Sequence, residues 1–262
     1  MRILNVIAAA ALTLSPALAL SQEHIKTADL DTVSRRGAQL YAFDQAAWHT
    51  TDAMVAKQLP RDTMAAIRGW VVEPHGEALT VTYYGFEGTK PYAIYAADYV
   101  GYKVAAERVP ATGEPLSAQG ERMAAALEVA RDLELNVCVD RPYNSVVLPP
   151  QSDGTIPVYL LTPMVTQDAY PFGGHHEVDI GADGKVAATR DFAKTCLAVA
   201  QPKDAVIGFV THLLDPHPTE IHVYLSLWMG KPIAVGTGND TAWMVEGTKV
   251  SPLSLKDDAK KR

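Results

Sequence analysis

His212, Asp215, His217, Glu220 and His222 place three imidazoles and two carboxylates within eleven residues. Neutral imidazole binds zinc and copper, and a nearby carboxylate can complete the ligand set or act as a base. The run 205–212 reads as an apolar strand that ends on His212, and Asp215, Pro216, His217 and Pro218 form a polar turn. A helix follows from Pro218 to Met229, with His217 or Thr219 as its cap and proline in the first turn. His222 leaves the first helical turn pointing back toward the loop. A strand end and the next helix start can aim side chains at one point. The candidate metal ligands are therefore His212, His222, Asp215 and His217, with Thr219 and Glu220 as the catalytic side chains of a hydrolase. The other reading is structural: His212 ends a strand, Asp215 and His217 are proline-flanked turn residues, and His222 bonds a neighbouring carbonyl.

The elements that must position these residues occupy a chain of 262 residues, 48% hydrophobic and 20% charged, an ordinary globular composition. Residues 1–19 read as a signal peptide, with Arg2, the apolar run 3–14 and a small-x-small cleavage site ending at Ala19. Cleavage there removes Arg2 and takes the formal net charge from −7 to −8. The acidic balance, with no basic stripe, argues against nucleic-acid binding. No later apolar run is long enough to span a membrane. The expectation is an exported chain, periplasmic or secreted. In that setting the two cysteines, Cys138 and Cys196, form a disulfide.

The pattern predicts an α+β fold in two parts. Residues 20–112 read as helices on a small antiparallel sheet. A helical pattern over 30–58 is capped by Asp31 or Thr32 and broken by Thr50, Thr51 and Asp52, with Gly37 a weak point and Trp48–His49 packed in the core. Strands are expected at 69–73, 79–84 and 91–99, the last reaching 104 at most. After a linker at 110–115, residues 116–250 read as a mixed α/β unit. It has a helix from Ser117 to about 135, strands at 145–148 and 156–161, an irregular loop at 162–172 and a hairpin at 174–192. Strands at 232–237 and 241–246 follow the 218–229 helix. Residues 251–262 read as a flexible tail. On the 174–180 strand, His175, Glu177 and Asp179 share one face. That face is either solvent-exposed or a set of partners to His212.

The C-terminal half resembles the JAMM/MPN metalloprotease fold. That family's zinc signature is H-x-H, a short gap ending in Pro-Ser, two residues, then Asp. Val210-Thr211-His212 stands at the H-x-H place, Pro218-Thr219 at the Pro-Ser, and His222 at the Asp. The element order from about Ala118 to Gly247 is also similar. The resemblance implies a zinc hydrolase of peptidase or isopeptidase type, but this chain departs from it. Val210 replaces one ligand. The run 142–149, where the family carries its general-base Glu, has none. The chain is also similar to exported proteobacterial proteins with a Pro-Thr-Glu helix start, a likeness that implies no activity. The expected role is therefore binding of a protein or peptide partner on a degenerate MPN-like scaffold. A hydrolase with altered ligands and a passive metal-binding protein are the alternatives.

Overall fold

The computed structural model describes residues 23–24, 28–238 and 241–253. The signal-peptide reading, its Ala19 site and most of the proposed tail lie outside them. The chain is α+β. It runs β1 (Glu23–His24), α1 (Leu30–Ala56), α2 (Arg61–Ala65), β2 (Gly69–His75), β3 (Ala78–Glu87), β4 (Lys90–Val100), β5 (Lys103–Arg108) and α3 (Ala118–Arg131). Then come β6 (Asn144–Val147), β7 (Ile156–Leu161), β8 (Ala169–Pro171), β9 (His176–Ile180), β10 (Val186–Asp191) and β11 (Ala198–Ala200). The chain continues with β12 (Gly208–His212), α4 (Glu220–Met229), β13 (Ile233–Thr237), β14 (Thr241–Glu246) and β15 (Lys249–Leu253).

The antiparallel meander β2-β3-β4-β5 forms one sheet, and β1-β10-β9-β7-β6 a second. A third runs β12-β13-β14-β15, with β12 parallel to β13 and the remaining pairs antiparallel. A short β11-β8 pair crosses the segment expected to be an irregular loop. One apolar cluster joins Leu40 and Phe43 of α1, Tyr83 and Tyr95 of the meander, Leu161 of β7 and Tyr224 of α4. The two parts of the chain therefore share a core.

Several local expectations need correction. Helix α1 is continuous through Thr50 and Thr51. Their hydroxyls bond back to the Ala46 and Ala47 carbonyls and to the Tyr83 hydroxyl, so their polar groups are satisfied inside the helix. Its cap is Asp29, whose carboxylate accepts from the Thr32 N–H. Gly37 is where α4 crosses: a Cβ there would collide with Val223 and lie 2.7 Å from the Glu220 carbonyl. Trp48 is 55% exposed and stacks on His49, which stacks on Tyr99, so this pair lies at the surface. Residues 251–253 belong to β15 rather than to a tail. The β4 strand stops at a left-handed turn, Gly101-Tyr102, and a separate strand β5 follows.

Cys138 and Cys196 are bonded, 58 residues apart in sequence. The bridge ties the segment after α3 to the loop between β10 and β11.

Candidate functional site

Thr219 is the N-cap of α4, so Glu220, Ile221 and His222 are its first three residues. At the third position a Glu or Gln side chain often turns back to the cap N–H. His222 takes that role here: the Thr219 N–H donates to His222 Nδ1 at 3.1 Å. A backbone N–H can only donate, so Nδ1 must hold a lone pair. The neutral ring then carries its proton on Nε2. Burial pushes this imidazole's basicity well below the usual value, and neighbouring His212 adds to the effect. His222 is thus a neutral N–H donor.

His212, at the end of β12, has the opposite polarity. Its Nε2 lies 2.7 Å from Asp215 Oδ2 and donates to it. Burial works against the Asp215 charge, but the His212 bond and Arg190, with Nη2 at 3.0 Å, hold its carboxyl below the usual range. Nδ1 of neutral His212 is therefore an acceptor. The two rings meet edge to face with centroids 4.8 Å apart. Both line a cavity of about 260 Å³ between β12 and the 192–197 segment. Its apolar walls include Phe172, Phe192, Leu197, Val210, Leu213 and Leu214. A larger hollow of about 390 Å³ lies between the segment after α3 and Tyr143, but no pair of histidines borders it.

Arg190 connects this site to a buried charge network. Its guanidinium lies over the Phe192 ring, 4.6 Å from the centroid, and its Nη1 is 3.6 Å from Glu220 Oε1. Arg36 of α1 approaches Glu177 Oε1 at 3.1 Å. The Tyr159 hydroxyl sits 2.8 Å from Glu177 Oε1 and 3.0 Å from Glu220 Oε1. The Tyr159 hydroxyl has one proton to share between these two carboxylates. A proton held by the carboxyl pair removes the repulsion of two charges meeting at one hydroxyl. Burial first, then the Glu220 charge, raises the Glu177 carboxyl well above the carboxylate range, so the Glu177–Glu220 pair shares one proton at neutral pH.

This proton gives a pH prediction. A carboxyl whose folded pKa is raised holds a proton that the unfolded chain has already lost, so stability falls as pH rises toward the folded value. Above about pH 7.5 the histidines of the unfolded chain have largely lost their protons, so the depressed His175 and His222 no longer add a slope of opposite sign. Asp44, raised by burial to about 6, has largely titrated by then. From about pH 7.5 to about pH 8 the urea midpoint of wild type should fall, and Glu177→Gln should flatten that limb. Equal slopes in the two proteins would remove the shared proton.

The structure brings His212, Asp215 and His222 together. His217 is elsewhere, its Nδ1 against its neighbour's carbonyl at Pro218 and its ring beside Trp243. Thr219 and Glu220 are fully buried. Glu220 faces Arg190 and Tyr159, so it is not placed as a base toward the cavity. His175 and Glu177 are completely buried, which corrects the solvent-exposed reading of that face. Glu177 joins the network behind His212, and burial holds the His175 imidazole down at about 4. Arg36, Tyr159 and Arg190 were not identified from sequence. Arg190 had a signal: strand alternation puts it on one face with Phe192, a charge where an apolar residue is expected.

The zinc implied by the MPN resemblance does not fit this donor set. The free nitrogen of His222 carries a proton, whereas a ligating imidazole offers a lone pair and donates from its other nitrogen. Asp215 is held by both His212 and Arg190. Among the described residues, no group of three or more His, Cys, Asp or Glu side chains is placed to hold a metal ion. Compared with protein-family models, curated proteins and solved structures, the chain matched none. Fold and site together define an α+β protein with a small apolar cavity and two histidines of fixed, opposite polarity.

Proposed function

We propose that this is an exported binding protein that takes an extended peptide along the outer edge of β12, with one peptide side chain in the neighbouring cavity. The observation that carries the proposal is the free strand edge beside that cavity. β12 ends its sheet among the described residues, and the Gly208 N–H bonds inward to the Pro232 carbonyl. Gly208, Val210 and His212 therefore direct their backbone groups toward β13, and Phe209 and Thr211 direct theirs outward. Phe209 and Leu213 are 66% and 70% exposed on this edge. An exposed apolar edge is a template for an added strand. At about 260 Å³ the cavity is smaller than most small-molecule sites, but it accommodates one side chain.

Export is supported by the disulfide. A degenerate MPN-like scaffold remains part of the proposal. It is supported by the order α3, strands, β12, Thr219-capped α4, β13 and β14.

Phe209→Pro tests the reading. It removes an outward N–H and leaves the β13 ladder intact, which an edge strand tolerates. With a pool of capped pentapeptides of alternating apolar residues, wild type should show slowed amide exchange at Phe209 and Thr211. The variant should stay folded and lose binding at least tenfold. Unchanged binding by the variant would exclude strand addition at β12.

A further inference from the structure

The fixed polarity of the two rings specifies what the cavity can read. His222 Nε2 offers a proton and neutral His212 Nδ1 offers a lone pair. Neither nitrogen is among the sealed, unpartnered buried atoms, and both rings border the cavity. Each polarity is enforced from behind by a buried group. Thr219, fully buried, fixes His222, and Asp215 with the buried Arg190 fixes His212.

A matching ligand group presents an acceptor and a donor side by side. A carboxylate presents two acceptors, one of which would face the His212 lone pair. An ester or an aliphatic side chain has no donor, so the buried acceptor would go unpaired. A trans peptide unit carries both groups, but on opposite edges, so it cannot meet two adjacent rings. A primary carboxamide carries its carbonyl oxygen and one N–H along the same edge, the geometry by which such groups pair bidentately elsewhere. Two methylenes behind it would lie against the apolar walls at Phe192, Leu197 and Val210.

We propose that the cavity recognises the carboxamide of a glutamine or asparagine side chain on the bound peptide. The carbonyl oxygen accepts from His222 Nε2–H, and the amide nitrogen donates to His212 Nδ1. This rests on the peptide reading above. Other charged groups near the pair are Arg190 and Asp215 behind His212, and Lys194, exposed at the cavity rim. Lys194 would favour a carboxylate, so comparison of glutamine with glutamate is a demanding test.

Three pentapeptides are needed: acetyl-Ala-Val-X-Val-Ala with an N-methylamide end, where X is Gln, Glu or Leu. The methylamide leaves glutamine as the one primary carboxamide. Binding is read at about pH 8 by amide and imidazole ¹⁵N shifts of the full protein. The Gln peptide should bind at least tenfold more tightly than the other two and shift the His222 Nε2–H resonance. His212→Asn and His222→Gln should each reduce that preference. The wild-type imidazole shifts serve as the readout if a variant fails to fold. Equal binding of all three peptides, with β12 amides perturbed, would overturn carboxamide recognition and leave the peptide site standing. A tighter Glu peptide would also overturn it. Absence of binding by any of them would overturn both readings.

Discussion

Arg190→Met should destabilise the protein by about 3–5 kcal/mol, the cost of leaving buried charge without its partner. Arg190 is 3% exposed, lies 3.0 Å from Asp215 and 3.6 Å from Glu220, and stacks on Phe192. Methionine keeps much of the volume and the contact with the ring, so the loss reports charge rather than a cavity. Urea unfolding of wild type and variant measures it. The double variant Arg190→Met, Glu220→Gln should recover part of the loss, because one of the stranded carboxylates becomes neutral. Additive losses would mean that Arg190 and Glu220 do not interact. The Arg190 variant should also lose the His212 orientation, since Asp215 would then be held by His212 alone.

Removing the Cys138–Cys196 bridge should cost about 4 kcal/mol, the chain-entropy value for a closed loop of this length. The loop spans 58 residues and includes β6 through β10. The bridge also adjoins a wall of the cavity, since the 192–197 segment lines it. A Cys138→Ser, Cys196→Ser variant should therefore bind peptide more weakly than its stability loss alone would cause at low temperature. Thermal unfolding and peptide titration of the same sample separate the two effects. A variant with an unchanged melting temperature would show that the loop needs no constraint in the unfolded chain.

Two buried elements were readable from unbroken apolar runs rather than from a period. Ile156–Leu161 and the α4 region stand out as apolar runs bounded by proline and glycine. The break assigned at Thr50–Asp52 failed because threonine's preference for caps is local. Tyr83, more than thirty residues away, supplies the partner that keeps both hydroxyls inside the helix. The cluster at residues 212–222 was legible as a convergence of side chains but not as chemistry. A sequence shows that His222 can reach a ligand; it does not show which ring nitrogen is free. The Thr-x-x-His spacing at the start of α4 was the available clue, since it places histidine at the reciprocal capping position. Arg36 and Tyr159 had no comparable clue. They enter the network only because α1 packs on α4 and β7 pairs with β9.

The charges behind the histidines are set against one another. Arg190 faces Asp215 and Glu220, and Arg36 faces Glu177 and Glu220, whose carboxyls share a proton. The histidines that line the cavity are left to act through hydrogen-bond polarity.

The most direct measurement is the tautomer of His222 in a long-range ¹H–¹⁵N spectrum of the uniformly labelled protein near pH 7. The ring should be neutral with its proton on Nε2, and that signature should not change when one equivalent of zinc is added. An imidazolium, a proton on Nδ1, or loss of the Nε2 proton on adding zinc would contradict the assigned polarity.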